Sequence, residues 1–204
     1  GQGAILHLAD GRSVLDMSSL AECSHLGHQH PALVEAIRRQ AGKLCFVTSA
    51  WGAQVRAELA EELLKVAGFD GGRVFFTLGG ADANENAVKI ARMAQGDAHA
   101  PVIARERSYH GASYFAMALS GDARTQALVD AVAMGVHHVP APYAYRCPFG
   151  TATPDDCAQA AAEAVADRIR ALQPAKPAAV IVEPNAGTNG IVAPDAYWPA
   201  LRRV

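Results

Sequence analysis

The sequence lacks most of the features that assign a 204-residue chain to a class at sight. Cysteine is scarce. Cys23, Cys45, Cys147 and Cys157 are scattered, with no C-x-x-C pair and no Cys/His cluster, which argues against a finger-like metal site and a disulfide scaffold. The pattern suits reduced thiols in a cytoplasmic protein, each cysteine expected to act as a small buried or half-buried hydrophobe. Neither charge sign dominates. Eighteen Lys+Arg face 20 Asp+Glu, a net −2 with no basic footprint for nucleic acid. No apolar run approaches the ~20 residues that span a bilayer. The start, Gly1-Gln2-Gly3-Ala4, has no charged segment leading into an apolar core, so no secretion signal is expected. Neither the P-loop nor the G-x-G-x-x-G fingerprint occurs, and there is no internal repeat.

What is present is a chain half hydrophobic, long enough for one domain or for one and part of another. Ile5–Ala9 and Ser13–Met17 flank Asp10-Gly11, a hairpin signal. Pro31 opens a helical pattern to about Leu44, and Gln54–Ala67 is a second amphipathic helix closed by Gly68. Strands and helices then alternate. Strands are expected at 73–77, 101–104, 135–139 and 178–182. Helices are expected at 81–93, 112–119 and 155–172. The first sets Ala83, Ala87, Ile90, Ala91 and Ala94 on one side; the apolar face of the last is Ala158, Ala161, Ala162, Val165, Ile169 and Leu172. Continuous apolar strands between helices predict an α/β fold with a mostly parallel sheet covered on both faces.

Three segments fall just beyond expected strands. Leu78-Gly79-Gly80-Ala81 turns from strand into helix, either as a plain βα turn or as an anion site at the helix start. Ser108-Tyr109-His110-Gly111 sets an aromatic ring and an imidazole where α/β sheets bind ligands. Glu183 follows a buried strand, where a carboxylate is costly unless paired. A phosphate cradle, an aromatic plate and an acid on one sheet edge suit a planar phosphorylated cofactor.

The order of these motifs resembles class III, or ω-amino, aminotransferases. The family pattern Asn-Ser-Gly-Thr-Glu-Ala-Asn-Glu-x-Ala-Ile-Lys-x-Ala-Arg stands here as residues 78–92, reading Leu-Gly-Gly-Ala-Asp-Ala-Asn-Glu-Asn-Ala-Val-Lys-Ile-Ala-Arg. Ser-Tyr-His-Gly is intact at 108–111, Glu183-Pro184 follows, and Gly27-His28-Gln29-His30-Pro31 matches an earlier motif. Tyr143-Ala144-Tyr145-Arg146-Cys147-Pro148-Phe149 looks like a further family segment.

The resemblance implies a three-layer αβα fold of the fold-type-I, pyridoxal 5′-phosphate-dependent class. Residues 1–50 would be an N-terminal segment of the small domain and interface, and 51–204 the front part of the cofactor-binding large domain. Gly79, Gly80 and Ala81 would hold the phosphate, Tyr109 would stack on the pyridine ring, and His110 and Glu183 would lie close to it. Trp51 would shape the substrate pocket or anchor an interface. A homodimer is implied, with residues 19–52 near its interface. The implied reaction moves an amino group from an ω-amino donor to a 2-oxo acid such as pyruvate through a Schiff base. Gly79 and Ala81 replace hydroxyl-bearing residues, a variant found in taurine- or β-alanine-type relatives. In the family the Schiff-base lysine and the aspartate at the pyridinium lie beyond the Glu-Pro motif. Lys43, Lys65, Lys89 and Lys176, the four lysines present, do not match that lysine, so residues 1–204 alone are expected to be inactive. Other fold-type-I chemistries (aminomutase, racemase, decarboxylase), a non-catalytic homologue and an unrelated nucleotide-binding α/β domain are the alternatives.

Overall fold

Asp10-Gly11 turns the chain as its residue types require. In a computed structural model describing residues 1–204, Gly11 takes a left-handed φ of 87°. It joins β1 (Ile5–His7) to β2 (Ser13–Leu15), an antiparallel pair. A left-handed turn, α1 (Ser19–Glu22), follows. The Asp16 carboxylate anchors it, accepting the Ser18 and Leu20 backbone N–H groups at 3.1 and 3.2 Å, and lies 2.8 Å from His28 Nε2. The helix expected from Pro31 is α2 (Pro31–Lys43), with proline in its first turn. The next, α3 (Gln54–Ala67), ends at Gly68 in the left-handed conformation. These elements belong to one unit, Gly1–Val74. No residue of that unit is fully buried, and Leu33, Ile37, Leu59 and Leu63 lie open on the apolar faces of its helices. Cys23 and Cys45 are exposed, which corrects the expectation of burial for each cysteine.

The second unit, Phe75–Val204, holds the core. It comprises α4 (Gly80–Gln95), β3 (Val102–Arg105), α5 (Tyr114–Leu119), α6 (Ala123–Gln126), β4 (Val136–Val139), α7 (Pro154–Ala171) and β5 (Ala179–Ile181). The hairpin β6 (Asn185–Ala186) and β7 (Ile191–Val192) and the helix α8 (Tyr197–Arg203) complete it. The sheet order is β4-β3-β5, all parallel, with Val102 opposite both Val136 and Ala179. Strand side chains alternate between the two faces. Val102, Ala104 and Val136 therefore pack with Val88 of α4 and Ala118 and Leu119 of α5. Ile103 and Val139 face the opposite way, onto Val165, Ile169 and Leu201 of α7 and α8. Helices on both faces make three layers.

Two expectations fail. Residues 73–77 form no strand, and Phe75 and Phe76 are 64% and 40% exposed. An extended apolar run becomes a strand only where a neighbour offers a ladder, and no strand of this chain pairs with it. The inner face of α4 is also not the expected alanine stripe. Val88 alone is buried, while Ile90 is 49% exposed. Polar residues beside Val88 tie the helix inward instead. Asn84 donates to the His110 carbonyl at 2.8 Å, and Arg92 donates to the carbonyls of Ala100 and Met134 at 3.0 and 3.3 Å. The Glu85 carboxylate accepts from Ser113 Oγ and the Ala116 N–H at the start of α5.

Beyond β3 the chain is held by a second pass of backbone. Gly121 runs parallel to Glu106, and its carbonyl accepts the Arg107 N–H at 2.7 Å. A Cβ on Gly121 would stand 2.5 Å from Glu106 Cα and 2.8 Å from the Arg107 nitrogen, inside van der Waals contact with backbone that cannot yield alone. Gly121→Ala should therefore cost about 2–4 kcal/mol of folding stability. Urea unfolding checks this, and a midpoint equal to that of the unsubstituted protein would contradict it.

Candidate functional site

The carboxyl ends of β3 and β5 lie side by side, so the segments that leave them meet. After β3, Arg107 takes a left-handed φ of 58° and turns the chain back. Two buried serines then fix the following loop. Ser108 Oγ donates to the Arg105 carbonyl at 2.6 Å and accepts the Gly121 N–H at 3.1 Å. Ser120 Oγ accepts the His110 N–H at 2.8 Å and donates to the Ala116 carbonyl at 2.9 Å. With its backbone held, the loop leaves the Tyr109 ring 41% exposed and the His110 ring buried.

Glu183, at the end of β5, reaches this loop, with its carboxylate accepting the Tyr109 N–H at 3.1 Å. The Glu183 carbonyl accepts from the Arg105 guanidinium. A few residues on, Asn189 donates to the Arg107 carbonyl at 2.8 Å. The Arg107 guanidinium lies 5.3 Å from the centre of the Tyr143 ring, a cation–π contact from the loop after β4.

The start of α4 closes the group. Gly111, at φ 127°, passes so near Ala81 that a Cβ on it would stand 2.5 Å from Ala81 Cβ. Gly79 is the N-cap of α4 in extended backbone, with no side-chain cap. A Cβ on Gly79 or Gly80 would meet nothing within 4 Å. The first N–H groups of a helix have no intrahelical acceptor, and the helix dipole adds positive potential there. An uncapped start with open space before it suits a phosphate. The structure thus brings Gly79, Gly80, Ala81, Tyr109, His110 and Glu183 together at one edge. Trp51 belongs to the unit Gly1–Val74, on the loop before α3, and is 72% exposed.

His110 is electrostatically unusual. Burial, then the positive charge of Arg105 and the neighbouring His138, push its pKa down from 6.5 to about 4. The imidazole is neutral at neutral pH. Its Nε2 is buried without a hydrogen-bond partner in the chain, a condition that costs about 1–3 kcal/mol.

Sequence reading missed the residues that position the site. Ser120 and Gly121 read only as the end of a helix, yet with Ser108 of the Ser-Tyr-His-Gly motif they hold Tyr109 and His110. Asn84 and Glu85 match the family pattern at 78–92, but the sequence assigns them no contact. The available signal was their polarity at positions three and four before Val88, on the helical face that Val88 itself occupies.

The family model for aminotransferase class-III matches residues 1–204. Acetylornithine aminotransferase of Streptomyces coelicolor is 37% identical over 205 residues, covering all of this chain and 44% of the relative. Leucine/methionine racemase of Thermococcus litoralis is 31% identical over 197 residues, covering 95% of this chain and 44% of the relative. Among solved structures, taurine:2-oxoglutarate aminotransferase from Bifidobacterium kashiwanohense, in complex with PLP and glutamate, superposes with a TM-score of 0.87 at 34% identity. That match covers 98% of this chain and 46% of the solved one. The chain therefore spans a little under half the length of these relatives, and the α/β architecture is that of fold-type-I enzymes. By the match of its whole length and the fold it shares, the chain belongs to the class-III aminotransferase family.

Proposed function

We propose that the protein containing this chain transfers an amino group from an ω-amino donor to a 2-oxo acid, with pyridoxal 5′-phosphate as its cofactor. The observation that carries this reading is the Tyr109 N–H hydrogen bond to the Glu183 carboxylate, which holds an exposed aromatic ring beside the uncapped start of α4. When bound, the cofactor supplies an electron sink for the substrate carbanion.

The chain's own residues would bind and orient it. Backbone N–H groups at Gly79, Gly80 and Ala81 would carry the phosphate, because no hydroxyl stands at 79 or 81. Tyr109 would stack on the ring, Glu183 would fix the height of that plate, and neutral His110 would border it. Neither lysine of the unit Phe75–Val204 is set among these loops. Lys89 lies two turns into α4 and donates to Asn86, and Lys176 precedes β5 at the opposite end of the strand from Glu183. The residue that carries the cofactor covalently would come from outside residues 1–204. The partner substrates would be an amine and a 2-oxo acid, and the assembly a homodimer.

The reaction is tested by incubating full-length, cofactor-loaded protein with taurine or β-alanine and either pyruvate or 2-oxoglutarate. Alanine or glutamate should accumulate. The racemase relative motivates the second reading. Loss of optical activity from a single α-amino acid, with no 2-oxo acid required and no amino transfer, would replace the first reading with that one.

The phosphate seat is tested by Gly79→Asp. The side chain fits the open space and caps the helix, so stability should hold or rise by a few tenths of a kcal/mol. Its charge occupies the seat, so cofactor affinity should fall by roughly tenfold or more. Unchanged affinity by fluorescence titration would refute the assignment.

His110 gives a pH signature. An unfolded chain binds a proton at this residue near 6.5, whereas the folded chain does so near 4. Its contribution to stability is thus lost as pH falls through that window. The His110 resonance in a histidine-labelled sample should titrate near 4, and a midpoint at 6–7 would contradict the buried neutral ring.

A further inference from the structure

Outside the site, the loop after β4 brings together two side chains that lie ten positions apart in sequence. Cys147 follows a 3-10 turn at Ala144–Arg146, and the chain reverses there, with the Gly150 N–H donating to the Cys147 carbonyl at 3.2 Å. Thr153 then caps α7, its hydroxyl accepting the Asp156 N–H at 3.1 Å. Cys157 stands in the first turn of that helix, its N–H on the Thr153 carbonyl at 3.1 Å. The fold-back puts the two thiols in hydrogen-bonding contact. Thr151 Oγ1 lies 3.1 Å from Cys147 Sγ and bonds to Cys157 as well. Cys157 is fully buried and Cys147 half-buried. One sulfur can therefore meet a small solute while the other waits behind it.

We propose that Cys147 and Cys157 form a thiol modification site that hydrogen peroxide converts reversibly to an intrachain disulfide. The Cys147 sulfur attacks one peroxide oxygen. The O–O bond breaks, and the departing hydroxide takes a proton to leave as water, giving a sulfenic acid. The Cys157 sulfur then attacks the Cys147 sulfur. The S–S bond forms as the S–O bond breaks, and the leaving oxygen takes the Cys157 proton as a second water. The two thiols lose two electrons, and one peroxide becomes two waters. A dithiol reductant reverses the step by exchange.

The two sulfurs are unlike in the way this order requires. Burial pushes Cys147 up, but hydrogen bonds from Cys157, from the Thr151 hydroxyl and from the Thr151 and Phe149 backbone more than offset it, bringing the thiol down to about 7. Burial, with Cys147 beside it, pushes Cys157 up to about 12. Cys147, the more readily ionised of the two, attacks first as the thiolate, and Cys157 passes its proton to the leaving oxygen as it attacks the Cys147 sulfur. The closed ring would pin the loop that begins at Tyr143, the residue lying against Arg107 of the site.

Peptide mapping tests this without a variant. Trypsin releases both cysteines in the single peptide Cys147–Arg168. Full-length protein denatured in the alkylating agent should give that peptide with two alkyl groups. After hydrogen peroxide it should carry none and be lighter by two hydrogens, and dithiothreitol should restore the first form. In Cys157→Ala, peroxide should leave a dimedone-reactive sulfenic acid on Cys147. The proposal fails if the peptide stays doubly alkylated while exposed Cys23 or Cys45 oxidises, or if Cys147 pairs with a different cysteine.

Discussion

Backbone passes the end of β3 at Gly121 more closely than any side chain would allow, and the site depends on that approach. The bridge to Glu106 and the hydrogen bonds to Arg107 and Ser108 stop β3 from continuing as a strand. They bend the chain so that Tyr109 leaves toward solvent while His110 turns inward. Ser120, the residue before this glycine, takes the His110 N–H. A loop with one residue exposed and the next buried is hard to keep in one conformation unless its backbone groups are assigned. Here two buried serines and a glycine make those assignments.

The same economy explains α4. Its inward side carries Asn84, Glu85 and Arg92, and each ends on backbone of a neighbouring segment. Oil packing would let the helix slide along the sheet, because dispersion contacts are non-directional. Hydrogen bonds to the His110 carbonyl and to the start of α5 fix its axial position. The first turn of α4 is therefore held at one height beside Tyr109, and Gly111 against Ala81 sets how near it can come.

These features decide what was legible from the sequence. Helices α2, α3, α4 and α7 and strands β3, β4 and β5 were readable from period and punctuation: Pro31 opens a helix, and Gly68 closes one in the left-handed conformation. The meeting of the loops after β3 and β5 was readable because parallel strands set their carboxyl ends together. The buried face of α4 was not, because an apolar stripe marks where a helix is greasy, and this helix is held by its polar residues. The strand at 73–77 was not, because pairing is a property of neighbours. The Cys147–Cys157 contact was hidden for a third reason. Ten residues of separation mean nothing until a turn and a helix cap fold them back, and neither Gly150 nor Thr153 announces where the returning chain will land.

Arg105 joins the core to the site. It is the last residue of β3 and only 2% exposed, on the same strand face as Ile103. A buried guanidinium without partners would be costly. This one donates to the Glu183 carbonyl and lies 5.8 Å from the centre of the Tyr197 ring on α8. Its charge is thus shared between the end of β5 and the helix layer beneath. The consequence reaches the edge of the sheet. A fixed cation next to a buried imidazole makes a second positive charge there expensive, so His110 stays neutral. The residue that braces two strands also adds to the burial that keeps the ring beside Tyr109 neutral. Neutralising Arg105 would therefore loosen β5 and release His110 toward its ordinary pKa together, and the two effects cannot be separated by changing the histidine alone.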